Sequence, residues 1–199
     1  GPYALHGTSL VEACVNTGTH YCDLAGEVQW MAKIIAQYQD AASTSGARIV
    51  HTCGFDSIPS DMGTWFLQQA MIKQHGTPAI QVKGRIGRTR GAASGGTIAS
   101  MLNMMEEAKD DEFVQRAIEN PYSLYPAGAK AGNDEADQTD ARFDSDFDQW
   151  TSPFVMAAIN TRVVRRSNAL MGFPWSEKFR YDESLLTDSR FIAKGAALA

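Results

Sequence analysis

The sequence predicts an α/β fold in two parts: a doubly wound parallel sheet over residues 1–78, then an α+β segment with a mainly antiparallel sheet over residues 79–199. Three observations predict it. Before Pro78, helical periodicities alternate with short apolar runs. Gly76-Thr77-Pro78 then breaks the chain. After it, Ile80, Val82, Gly84 and Ile86 alternate with polar residues, the pattern of a half-buried strand.

The elements follow in order. Thr8 to Thr17 carries Leu10, Val11, Ala13, Cys14 and Val15, with Thr8 or Ser9 as N-cap and Gly18 as C-cap. Tyr21 to Leu24 reads as a short strand ended by Ala25-Gly26. Glu27 to Ser43 places Val28, Met31, Ile34, Ile35 and Tyr38 at helical spacing and closes at Gly46. Ala47 to Cys53 is the next strand and Asp61 to Gln74 the next helix. Beyond the strand from Ile80 to Arg88, Ser94-Gly95-Gly96-Thr97 opens a helix over Ile98 to Lys109. A second helix over Asp111 to Glu119 stops at Asn120-Pro121, because the residue before proline avoids the helical region. The acidic, aliphatic-poor stretch from Ala131 to Asp148 reads as an exposed loop. A last helix spans Ser152 to Ser167 with Pro153 in its first turn.

Composition bounds the function. At 199 residues with 44% apolar and 21% charged side chains, the chain can bury a sizeable core. A net charge of −5 argues against a nucleic-acid surface, which needs a basic patch. No run has the length of a transmembrane helix. Three cysteines, Cys14, Cys22 and Cys53, lack zinc-site spacing and suit reduced thiols in a cytoplasmic protein.

Several clusters have the residue types that chemistry needs. Gly54-Phe55-Asp56-Ser57-Ile58-Pro59-Ser60-Asp61 follows a strand and opens a helix, the junction outside which α/β sheets bind ligands. Its carboxylates and hydroxyls either cap the helix or, with Asp56 and Ser57 as pocket floor, serve a substrate. His20 and Tyr21 are candidate proton donors with Asp23 positioned to orient one of them. A regular strand sends their side chains to opposite faces, and a lone histidine is more often structural. Glu27 suits the first turn of the helix it opens. Arg85, Arg88 and Arg90 ahead of Ser94, Gly95 and Gly96 make either an anion site or a solvated strand face. Met101, Met104 and Met105 read as core filler or as a groove for a fatty substrate.

Four segments together resemble the saccharopine dehydrogenase-like oxidoreductases, and within them the trans-acting enoyl reductases of lipid and polyketide synthesis. They are Gly1-Pro2-Tyr3, then Gly18 to Glu27, then Gly54 to Asp61, and finally Trp150 through Pro153-Phe154-Val155-Met156-Ala157 and Asn160 to Val164-Arg165-Arg166-Ser167. The resemblance implies that the parallel sheet is the second half of a Rossmann-like domain. It implies NADP or NAD as cofactor and a small-molecule or carrier-bound acyl substrate with an activated C=C or C=N bond. Gly1, Pro2, Tyr3, Gly54 and Phe55 would line the cofactor. The anion site read from Arg85, Arg88, Ser94, Gly95 and Gly96 would suit a phosphopantetheine or nucleotide phosphate. That family carries a G-x-G-x-x-G loop near its N-terminus, and this sequence contains none, so a fragment that is inert alone is expected. A homodimer, or a scaffold keeping the fold without the chemistry, are further expectations.

Overall fold

A computed structural model describes residues 2–87, 95–130, 132 and 136–197. In chain order the first elements are α1 (Tyr3–His6), α2 (Thr8–Thr17), β1 (Tyr21–Cys22), α3 (Val28–Ser45), β2 (Ile49–Val50), α4 (Ile58–His75) and β3 (Gln81–Ile86). They are followed by α5 (Gly95–Asp110), α6 (Glu112–Glu119), β4 (Arg142–Asp144), β5 (Gln149–Ser152), α7 (Ala157–Leu170), β6 (Arg180–Thr187) and α8 (Arg190–Ala197). The chain is mixed α/β, with one purely parallel strand pair and one mixed sheet. It divides into two compact units that exchange segments along the sequence. One runs to Ile58 and resumes with α5 and α6 up to Leu124; the other takes Pro59 through β3 and everything from Tyr125 onward.

In the first unit β1 and β2 pair in parallel, Tyr21 opposite Ile49 and Cys22 opposite Val50. Val11 and Val15 of α2 are buried, one helical turn apart, as are Val28, Trp30, Met31 and Ile34 of α3. Both helices end on a left-handed glycine, Gly18 at φ 69° and Gly46 at φ 76°, a conformation that spares residues without Cβ any penalty. Gly7, not Thr8 or Ser9, occupies the N-cap of α2, because α1 runs directly into it. The Thr8 hydroxyl instead accepts a hydrogen bond from Trp30 Nε1 at 3.1 Å. Asp111 caps α6, its side chain accepting from the amides of Phe113 and Val114. Lys33 of α3 pairs with Asp111 at 2.9 Å, and the wholly buried Gln29 donates to Glu107 of α5.

In the second unit the strand order is β3-β6-β5-β4. Three expectations fail here. The strand after Pro78 was expected in an antiparallel sheet, yet β3 pairs parallel to β6, Val82 opposite Tyr181 and Gly84 opposite Glu183. The other two pairings are antiparallel. The acidic stretch expected as an exposed loop contains β4, because Asp144 is buried against cations of β3. The helix expected from Ser152 starts only at Ala157. Ser152 ends β5, and Pro153, which has no N–H to donate, falls where the ladder stops.

Val82, Val164, Trp175, Phe179 and Tyr181 form the core between α7 and the sheet. Gln68 of α4 is fully buried and works like a strand neighbour. Its Nε2 donates to Ala79 O and its Oε1 accepts from Ala79 N, both at 2.8 Å, which ties α4 to the start of β3.

Candidate active site at the carboxyl ends of the parallel strands

Continuing the β1–β2 register by one step brings Asp23 opposite His51. Their side chains meet there, Asp23 Oδ2 lying 2.6 Å from His51 Nδ1, with 2% and 9% of the respective side chains exposed. The second carboxylate oxygen accepts from the amides of Ala25 at 2.9 Å and Thr52 at 3.1 Å. Burial by itself would raise the Asp23 carboxyl. The hydrogen bond and charge of His51, with the two amides, outweigh it and hold the group below the ordinary value. An ionised carboxylate only accepts, so the imidazole donates through Nδ1, and Nε2 carries a proton only in the imidazolium.

Nε2 is buried and has no hydrogen-bond partner. An orphaned polar atom of this kind costs about 1–3 kcal/mol, and strain, catalysis or a bound partner is what retains such a group in a folded protein. The ring is held edge-on by Trp30, with centroids 5.1 Å apart, and by Tyr21 at 6.2 Å. Backbone strain lies next to it. Thr52 sits at φ 59°, a left-handed conformation that a β-branched residue adopts at a cost of about 1–3 kcal/mol. That conformation aims the Thr52 amide at Asp23 while its hydroxyl donates to His51 O at 2.7 Å.

The residues singled out from the sequence fall in several places. Tyr21 is beside the dyad, but burial, and after it the charge and hydrogen bond of Asp23, push its phenol well above the ordinary value. A phenol held so firmly is a poor proton donor at neutral pH. His20 lies at the opposite, amino end of β1, exposed, its Nδ1 accepting from Arg48 N at 3.2 Å. Tyr3 packs on Trp30 at 5.4 Å and its hydroxyl accepts from Leu24 N. Glu27, 1% exposed, accepts from the amides of Tyr3 and Ala4 and from Ser100 Oγ of α5. The α1 amides are therefore already given to a carboxylate. Pro2 precedes α1 as its N-cap residue. Gly54 makes room for Leu24, whose Cδ2 would lie 3.0 Å from an added Cβ. Phe55 is 88% exposed, Asp56 is exposed and Ser57 is buried, its amide donating to Gly54 O.

Arg85 is in the second unit with 7% of its side chain exposed, held between Asp144 at 2.7 Å and Asp182 at 2.5 Å. A polar cavity of about 280 Å³ opens beside it, lined by Lys83, Arg85, Asp144, Arg180 and Asp182 among others. The carboxylates neutralise Lys83 and Arg85, which suits a strand-to-strand clamp better than a phosphate seat. Gly95 and Gly96 begin α5 in the first unit. Gly1, Arg88, Arg90 and Ser94 lie outside the described residues.

Two of the segments that carried the resemblance do meet. Ser60 at the start of α4 and Asn160 of α7 join a buried network around Glu183, and Asp61 of α4 bonds Ser167 of α7. Asn160 Nδ2 donates to Glu183 Oε2 at 3.0 Å and to Ser60 Oγ at 3.2 Å. The Tyr181 hydroxyl donates to Glu183 Oε1 at 2.6 Å. Burial raises the Asp61 carboxyl, the Ser167 hydroxyl opposing it, and Asp61 Oδ1 has no partner.

His51 was missed in the sequence because it stood inside a run read only as a buried strand. The available signal was its alignment with Asp23 once both strands are taken as parallel. Among the described residues no group of His, Cys, Asp and Glu has the makings of a metal site, and the three cysteines are free. No described helix is long and apolar enough to cross a membrane.

Comparison with known proteins gives the chemistry a direction. The chain is 39% identical, in an alignment of 199 positions that covers 97% of its length, to a Mycobacterium tuberculosis protein provisionally named a trans-acting enoyl reductase. It is 36% identical, in an alignment of 208 positions that covers its whole length, to a trans-acting enoyl reductase of Mycobacterium ulcerans. It is also 36% identical, in an alignment of 200 positions that covers 93% of its length, to one of Mycobacterium bovis. The chain spans about half the length of these curated relatives, 48%, 49% and 46% respectively. No family model matches the chain, and no solved structure matches it.

Proposed function

We propose that the protein to which this chain belongs reduces the activated C=C bond of a carrier-bound enoyl thioester, with NADPH or NADH as hydride donor. The observation that carries this reading is the similarity, over nearly the whole chain, to proteins named trans-acting enoyl reductases. The parallel strand pair fits, as the part of a doubly wound, Rossmann-like domain that residues 1–78 would supply.

The residues at the strand ends suit the nicotinamide end of such a cofactor. The orphaned Nε2 of His51 offers a hydrogen bond from a ring packed edge-on with Trp30 and Tyr21. Tyr3, whose hydroxyl accepts from Leu24 N, and Gly54, packed against Leu24, stand near the same strand ends, with Phe55, Asp56 and Ser57 next in the chain. The pyrophosphate finds less here, because the α1 amides already hold Glu27. The cofactor supplies the hydride; this chain's residues orient the acceptor, exclude water and hold a proton.

The test uses the full-length protein. Absorbance at 340 nm is followed with NADPH or NADH and an enoyl thioester of N-acetylcysteamine or of a phosphopantetheinylated carrier. Thioester-dependent consumption of the reduced cofactor is expected. Absence of consumption with both cofactors and both acyl forms would remove the reading.

A further inference from the structure

The Asp23–His51 dyad has more geometry than a structural staple needs. Its imidazole is nine-tenths buried, fixed through Nδ1, and leaves Nε2 without a partner at the carboxyl ends of two parallel strands. A staple between β1 and β2 is complete with the Nδ1 bond alone. The second nitrogen, kept away from water and from every protein acceptor, is the arrangement of a proton held for a bound molecule.

We infer that His51 is the proton donor of the reduction, with Asp23 as its positioning residue. This rests on the enoyl-reduction reading and deepens it. In the step, a hydride from the reduced nicotinamide forms the C–H bond at the β-carbon, and the C=C π pair moves to the α-carbon. The α-carbon takes the proton from Nε2 of the imidazolium. Neutral imidazole remains, Nδ1–H still bonded to Asp23, and water returns the proton to Nε2. One C=C bond becomes one C–C and two C–H bonds, and the nicotinamide leaves oxidised.

At these strand ends Leu24 follows Asp23 directly, and Leu24 and Phe55 are 69% and 88% exposed. The titratable groups around the dyad are Tyr21, Tyr3, Cys14, Cys22 and Cys53. Tyr21 stays protonated across the working range, and the cysteines hold no bond to either Nε2 or the Asp23 carboxylate.

The experiment compares full-length wild type with His51→Asn and His51→Gln. Asparagine places an amide N–H where Nδ1–H was, which keeps the Asp23 bond and leaves nothing at Nε2. His51→Asn is expected to lower kcat about 100-fold and to abolish the limb of the pH profile that falls as the imidazolium deprotonates. Melting temperature stays near wild type. A kcat within threefold of wild type with the limb intact would overturn the inference while leaving enoyl reduction standing.

If the variants fail to fold, imidazole 15N NMR on the wild type decides. Nε2 should titrate in step with the kcat limb, and its resonance should shift on adding a saturated acyl thioester of N-acetylcysteamine. An Nε2 resonance that ignores the thioester, or titrates apart from the limb, would overturn it as well. A wild type that reduces no enoyl thioester removes the function itself, a result distinct from an active wild type with an active His51→Asn.

Discussion

Two carboxylates illustrate how environment sets the sign of a residue's contribution. Asp23 is held below the ordinary carboxylate value by His51 and two amides, against the opposing effect of burial. Its contribution to stability is therefore present above the ordinary carboxylate range and is lost as pH falls through the depressed value. Asp23→Asn should destabilise the chain by about 3 kcal/mol at pH 7, as for a broken buried pair. Thermal melts at pH 7 and near pH 3 check this, and the difference from wild type should shrink at the acid end. Asp61 behaves in the opposite sense. Burial raises it, so its contribution is fully present below the ordinary value and is lost as pH rises through the raised one. Asp61→Asn should melt higher than wild type at pH 7, and the gain should vanish near pH 3. Equal melting of the two at neutral pH would mean that Asp61 is compensated there.

Among the elements, the join of β3 to β6 is the most tightly determined. A Cβ on Gly84 would come within 2.8 Å of both Glu183 Cγ and the Tyr181 hydroxyl. Gly84→Ala must therefore push the strand away from the network that binds Ser60, Asn160 and Glu183. It should cost about 2–3 kcal/mol, read from denaturant unfolding. The helices α2, α3 and α6 were legible because their stops are local: Gly18, Gly46 and Asn120-Pro121 are adjacent in sequence to what they end. β4 and β6 were not. Asp182, Glu183 and Asp144 look like solvent residues until Arg85, Lys83 and Asn160 are brought to them, and those partners are distant in sequence. The same limit hid His51. Each strand was readable, but the pairing that sets Asp23 opposite it is a tertiary fact.

For the whole molecule, two compact units built from interleaved segments make a single substitution's effect depend on which unit holds it. The dyad belongs wholly to the first, and the charged clamp around Arg85 wholly to the second. Two of the segments that carried the resemblance meet in the second unit. Ser60, Asp61 and Asn160 turn out to join α4, α7 and β6, whereas the best-built candidate for chemistry is a histidine that no motif had named. The central claim is hydride delivery to an enoyl thioester, and isotope transfer tests it most directly. Full-length protein is supplied with nicotinamide cofactor deuterated at both C4 positions and an unlabelled enoyl thioester in ordinary water, and the acyl product is weighed. The account predicts a saturated product with one deuterium at the β-carbon and a solvent hydrogen at the α-carbon. A product without deuterium, or no saturated product at all, would contradict it.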